Sequence, residues 1–190
     1  MINTDVEQIM LDNRTLTIST DINPQVADEV MKCLLAFDDE GHKPIMLYIN
    51  SPGGEVVSGL QIIDTMNSIK SDVITINTGM CASMGAVILS SGAKRMALPH
   101  SSVMIHQVSA GTQGKIFDMK AAFNEAERKN RMTMGILAEN CGKTYDELIA
   151  MTPVDKWMDA EEAMEFGIID EITGNAHRTP LKDDKTKEAA

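Results

Sequence analysis

The chain has 190 residues, 43% of them hydrophobic and 24% charged, and a formal net charge of −11. Those values suit one globular domain with a core of ordinary size and exclude a disordered polymer. An acidic surface argues against nucleic acid and anionic membrane as partners, and no apolar run approaches the ~20 residues of a membrane-spanning helix.

Met10-Leu11 and Leu16-Thr17-Ile18 read as a short hairpin or strand around Asp12-Asn13-Arg14. Asn23-Pro24 then supplies an N-cap and first residue for a helix whose apolar positions are Val26, Val30, Cys33, Leu34 and Phe37. Ile45–Ile49 is a continuous apolar run, as in a strand buried on both faces, and Ser51-Pro52-Gly53-Gly54 is a turn. The next helix carries Val57, Leu60, Ile63 (with Ile62), Met66 and Ile69 on one stripe. A strand over Val73–Ile76, a small-residue turn, a helix from Ser83 and a strand over Val103–His106 continue the alternation. Such a series predicts an α/β fold of right-handed β-α-β units on a mostly parallel sheet.

After Gly111–Gly114, a helical pattern runs from Lys115 to Asn140 with Ile116, Met119, Phe123, Ala126, Met134 and Leu137 as its apolar positions. The pattern is interrupted near Asn130, and Gly142 offers a C-terminal cap. A helix of that length exceeds what so small a domain needs for its own core. It is expected to project as a handle and pack on another subunit. One domain is expected over residues 1–181, with 182–190 a charged, frayed tail. Cys33, Cys81 and Cys141 are odd in number, without a C-x-x-C pair, and the first residues lack the pattern of a secretory signal. Reduced thiols and a cytoplasmic location are therefore expected.

Ser83 stands where a strand turns into a helix, in Cys81-Ala82-Ser83-Met84-Gly85. That layout presents a nucleophilic hydroxyl, with the following N–H of Met84 placed to stabilise an oxyanion. Taken alone, the serine reads equally as a helix cap. The stretch is not the G-x-S-x-G elbow, because Cys81 occupies its first glycine. His106 ends a buried-looking strand, whereas His42 and His100 lie beside prolines or turns and His177 is near the C-terminus. It is the best general-base candidate. A third, acidic member is drawn from Asp146, Glu147, Asp155, Asp159 and Glu161. Asp159-Ala160-Glu161-Glu162 is explained as a capping box, which leaves a slight preference for Asp155. Gly53-Gly54 fits no phosphate-loop pattern, but an unhindered glycine N–H suits a second oxyanion donor. No cofactor or metal is expected.

Taken together, Leu47–Gly54, Asp64-Thr65-Met66, Ala82–Ala86, Val103–Gln107, Gln113-Gly114 and Ala160–Gly167 resemble the proteolytic subunit of the Clp protease family. The resemblance implies a spiral of β-α-β units, shared with the crotonases, and a handle helix. It implies Ser83 as nucleophile, His106 as base, Asp155 as orienting acid, and Gly54 and Met84 as oxyanion-hole donors. It further implies a serine endopeptidase that cuts polypeptides inside a tetradecamer of two heptameric rings, fed by a separate ATP-driven AAA+ unfoldase. The alternatives are a catalytically silent ring scaffold and a crotonase-like acyl-CoA enzyme. Four departures stand out. Few residues precede the first strand, Met46 and Ser68 replace aromatics of the docking site, and Val108 replaces the proline that usually follows His-Gln. The loop from Ser83 to His106 is short.

Overall fold

The structure, a computed structural model, describes residues 4–174. The expected tail over 182–190 lies outside them. In chain order the elements are α1 (Thr4–Asp12), β1 (Thr15–Ile18), α2 (Pro24–Glu40), β2 (Ile45–Ser51), α3 (Val56–Ser68), β3 (Val73–Ala82) and α4 (Met84–Ser90). They continue as β4 (Lys94–Ala97), β5 (Ser102–Ile105), α5 (Ile116–Asn140), α6 (Tyr145–Met151), β6 (Lys156–Asp159), α7 (Ala160–Phe166) and β7 (Glu171–Ile172).

The strands form one sheet in the order β1-β2-β3-β4-β7, parallel along that path, with β5 also pairing β3 and β6 pairing β5. The long strand β3 serves two neighbours in succession. Its first half, Ile74–Asn77, pairs with Lys94–Ala97, and its end, Met80–Ala82, pairs with Ser102–Met104. The sheet therefore forks at Thr78-Gly79. Asn77, fully buried at the fork, donates through Nδ2 to Ser102 O at 2.8 Å and accepts the Gly79 N–H through Oδ1 at 3.1 Å. A buried amide satisfied on both ends fixes the split, since an unpaired one would cost about 1–3 kcal/mol. A fork opens a crevice at strand C-termini, the usual place for a ligand in open α/β sheets.

The expected helix at Asn23-Pro24 is present, and the Asn23 side chain accepts from the Val26 N–H at 3.0 Å. Ile45, Leu47 and Ile49 of β2 are buried, whereas Met46 and Tyr48 on the opposite face remain partly open. Ile88 and Leu89 of α4 fill the space over the sheet. Each such side chain contributes about 1.5–3 kcal/mol by leaving water.

Three expectations are corrected. Met10 and Leu11 lie in helix α1, not in a hairpin. The Asn13 side chain donates to Ile9 O at 2.7 Å and Arg14 takes a positive φ of 54°, so the helix is capped before β1 begins. On α3 the buried face is Ser58, Gly59, Ile62, Ile63 and Met66, and Val57 is exposed. The phase is set by close approach to α4, because a Cβ at Gly59 would stand 2.3 Å from Met84 Cε. Finally, Asn77–Ala82 continues β3 as strand where a turn was expected, because β5 offers that end a partner.

The handle helix α5 runs over the expected residues, with Gly142 at φ 64° just beyond it. Met134 and Leu137 in its second half are buried, while Ile116, Phe117 and Phe123 in its first half are exposed. Arg95 of β4 anchors its far end, donating to Asn140 O at 2.8 Å and to Gly167 O at 2.9 Å while pairing with Asp170.

Candidate active site

Ser83 lies between β3 and α4 with φ 54° and ψ −123°. For a residue with a Cβ this conformation is strained, and such strain persists only where the surroundings impose it. Here β5 does so, because the Ser83 N–H donates to Met104 O at 2.9 Å and extends the parallel ladder by one rung. Met104 and His106 then project to the same side of the strand. The outcome is an Oγ of Ser83 at 2.9 Å from Nε2 of His106. His106 itself falls one residue beyond the end of β5.

The position of Asp155 follows from register. β6 runs antiparallel to β5 with Ile105 opposite Lys156 as the pair at that end, so His106 and Asp155 are the next residues along the two segments. Asp155 Oδ1 is 3.5 Å from His106 Nδ1, so the two ring nitrogens face the hydroxyl and the carboxylate respectively. The carboxylate is 60% exposed and the contact exceeds the ~2.8 Å of a tight charge-assisted hydrogen bond. Such bonds often tighten only when substrate binds. Lys156, the next residue, lies by the ring of Phe166. Asp159 caps α7 as the sequence indicates, accepting from the Glu162 N–H at 2.8 Å, and plays no part in the site.

Gly54 and Met84 line the same cavity as Ser83 and His106. Met84 is the first residue of α4, where its N–H has no acceptor within the helix. Gly54 bridges Ile22 in parallel fashion, with φ 150°. A Cβ there would stand 2.1 Å from Ile22 O, so only glycine permits the approach. Ser51 shapes the preceding turn, its buried hydroxyl donating to Thr20 O at 2.6 Å and accepting from the Gly53 N–H at 3.1 Å. Cys81, two residues before Ser83, is fully buried, and burial pushes its thiol pKa well above the usual value.

Beside these groups the cavity, about 130 Å³, is walled by Val56, Val87, Ile105, Thr133, Met134 and Leu137. It is a largely apolar recess that Ser83 and His106 also line. The arrangement can accept an apolar side chain and bring a carbonyl carbon to Ser83 Oγ. Among the described residues there is no group of three or more His, Cys, Asp or Glu side chains able to hold a metal, and no helix is long and apolar enough to cross a membrane.

A family model for the Clp protease matches residues 2–176. The chain belongs to the Clp protease family. The mixed α/β fold with its central sheet is that of the family's spiral of β-α-β units, and membership makes the chain a peptidase. Ser83, His106 and Asp155, drawn from three separate segments, meet at one point of this Clp protease fold, and Gly54 and Met84 border it. Sequence reasoning missed the recess. Thr133, Met134 and Leu137 mark the face of α5 that turns inward, yet helical periodicity gives no sign that the face meets a cavity instead of solid core.

Proposed function

We propose that the chain is a serine endopeptidase subunit. The observation that carries this reading is the 2.9 Å contact between Ser83 Oγ and His106 Nε2, made by a serine held at positive φ. Ser83 Oγ attacks the carbonyl carbon of a peptide bond while its proton passes to His106 Nε2. Negative charge gathers on the carbonyl oxygen, which the N–H groups of Gly54 and Met84 receive. Collapse expels the amine, which takes the proton from Nε2 and leaves an acyl ester on Ser83. A water, deprotonated by His106, then releases the acid and restores the serine. Asp155 holds the imidazole with Nε2 as acceptor and stabilises its protonated form.

The apolar recess favours cleavage after an apolar side chain. Cleavage takes place inside an assembly of two heptameric rings joined through α5, and a separate ATP-dependent unfoldase supplies the polypeptide. Family membership supports that assembly, as does the bare first half of α5, where Ile116 is 82% and Phe117 85% exposed.

Labelling with a fluorophosphonate tests the reading. Modification of Ser83 located by peptide mass mapping, with parallel loss of peptide hydrolysis, is the expected result. Hydrolysis that persists after stoichiometric labelling, or a native chain that takes no label, overturns it.

A further inference from the structure

The general base is placed where the sheet stops holding the chain. β5 ends at Ile105, and the residues from Ser109 to Lys115 are exposed and without regular structure. Between these limits two hydrogen bonds fix the backbone that carries His106. Gln107 Nε2 donates to Thr152 O at 3.2 Å, on the segment that leads to Asp155. The Val108 N–H donates to Asn130 Oδ1 at 2.8 Å.

The second bond reaches across to the middle of the handle helix. Asparagine inside a helix costs about 0.5–0.7 kcal/mol relative to alanine, and here it also breaks the apolar stripe. A backbone N–H only donates, so the Asn130 atom facing it is its oxygen, and the side chain is committed to that contact. The contact needs a residue other than proline at position 108, since a proline there would present no N–H. Val108 also walls the recess together with Thr133, one turn along α5 from Asn130.

We propose that Asn130 is a positioning residue: through the Val108 N–H it ties the inclination of the handle helix to the placement of His106 against Ser83. This rests on the serine-peptidase reading above. A base displaced by an ångström loses about 100-fold in rate, whereas binding of the substrate's distant parts is untouched. The handle thus bears on the backbone next to His106 through this side-chain oxygen.

The test compares Asn130→Leu, Asn130→Asp and Val108→Pro, alone and as the Asn130→Leu/Val108→Pro pair, in full-length protein of matched assembled mass. The readouts are the rate constant of fluorophosphonate labelling and the kcat and KM of peptide cleavage. Asn130→Leu is expected to lower the labelling rate and kcat by about 10–100-fold with a much smaller change in KM. Asn130→Asp keeps an acceptor oxygen and stays close to the unaltered protein. Val108→Pro removes the donor without touching α5 and reproduces the loss, and the pair is no worse than either change alone. Labelling of Asn130→Leu or of Val108→Pro at the unaltered rate overturns the proposal. So does an Asn130→Asp as slow as the leucine variant, or losses that multiply in the pair. If Asn130→Leu fails to fold, Val108→Pro decides the matter by itself. An unaltered protein that takes no label at all refutes the serine-peptidase reading, a result separate from these.

Discussion

Ser83 and Met104 share a backbone hydrogen bond of 2.9 Å, so the residue that turns β3 into α4 is registered on the strand that delivers His106. The hydroxyl is consequently fixed by the sheet, while the imidazole stands one residue beyond the last residue of β5. A residue registered on a strand holds its position more precisely than one on a loop.

Replacing Ser83 by alanine is expected to remove peptide hydrolysis, with a loss of about 10⁴–10⁶ in turnover. The strained φ of 54° at this position is not relieved by alanine, so melting temperature and assembled mass should stay close to those of the native chain. Turnover measured on a fluorogenic peptide, with the native chain and the variant purified side by side, checks this.

Asp155 and Asp159 should separate function from stability. Asp155→Asn is expected to cost about 10³–10⁴ in kcat, because an amide facing Nδ1 favours the wrong tautomer of His106. Asp159→Ala removes the cap of α7 and should cost about 1 kcal/mol of stability while leaving kcat nearly unchanged. Paired measurements of kcat and urea midpoint read both effects, and a larger kcat loss in Asp159→Ala at equal folded fraction would reverse the assignment.

The handle offers a test of assembly. Ile116 and Phe123 are 82% and 66% exposed, so glutamates at both positions should leave the domain folded. Burial of those charges between subunits would be costly, and the mass measured by light scattering should drop to that of single rings or smaller species. An unchanged mass would show that the assembly does not use this face.

Acid stability should depend on Asp38. Burial acts to raise its carboxyl, but the Ser71 hydroxyl and N–H, the Lys70 N–H and His42 outweigh it and hold the group down to about 2. Arg14 completes the surroundings by donating to Ser71 Oγ at 3.1 Å. The folded value lies below the ~3.9 of an unfolded aspartate, so the contribution is complete above about pH 4 and is lost as pH falls towards 2. Urea midpoints should fall through that window for the native chain and fall less steeply for Asp38→Asn. Equal slopes would remove Asp38 from the account.

How much of this was legible in the sequence differs between elements. The helix at Asn23-Pro24 and the capping box at Asp159 were readable because their signals are local hydrogen-bonding rules that the chain obeys in place. Ser83 and His106 were readable because each ends or follows an apolar run of recognisable period. Asp155 was only slightly favoured over its neighbours by pattern, since what brings it to His106 is the antiparallel pairing of β6 with β5. A strand of only four residues, Lys156–Asp159, with Trp157 exposed, carries too little alternation to be seen. The buried face at the start of α3 was misread for a related reason: Val57 is exposed, while Ile62, Ile63 and Met66 are buried as expected. Contact between Gly59 and Met84 sets it, and contacts between elements leave no periodic trace.

The burial of Cys81 has a chemical consequence for the turn it precedes. Burial raises the thiols of Cys33 and Cys81, and that of Cys141 to about 11, so none of the three offers much thiolate near neutrality. Peroxide and alkylating agents act on thiolate. The turn that carries Ser83 is thereby kept from thiolate chemistry although a sulfur sits two residues from its hydroxyl.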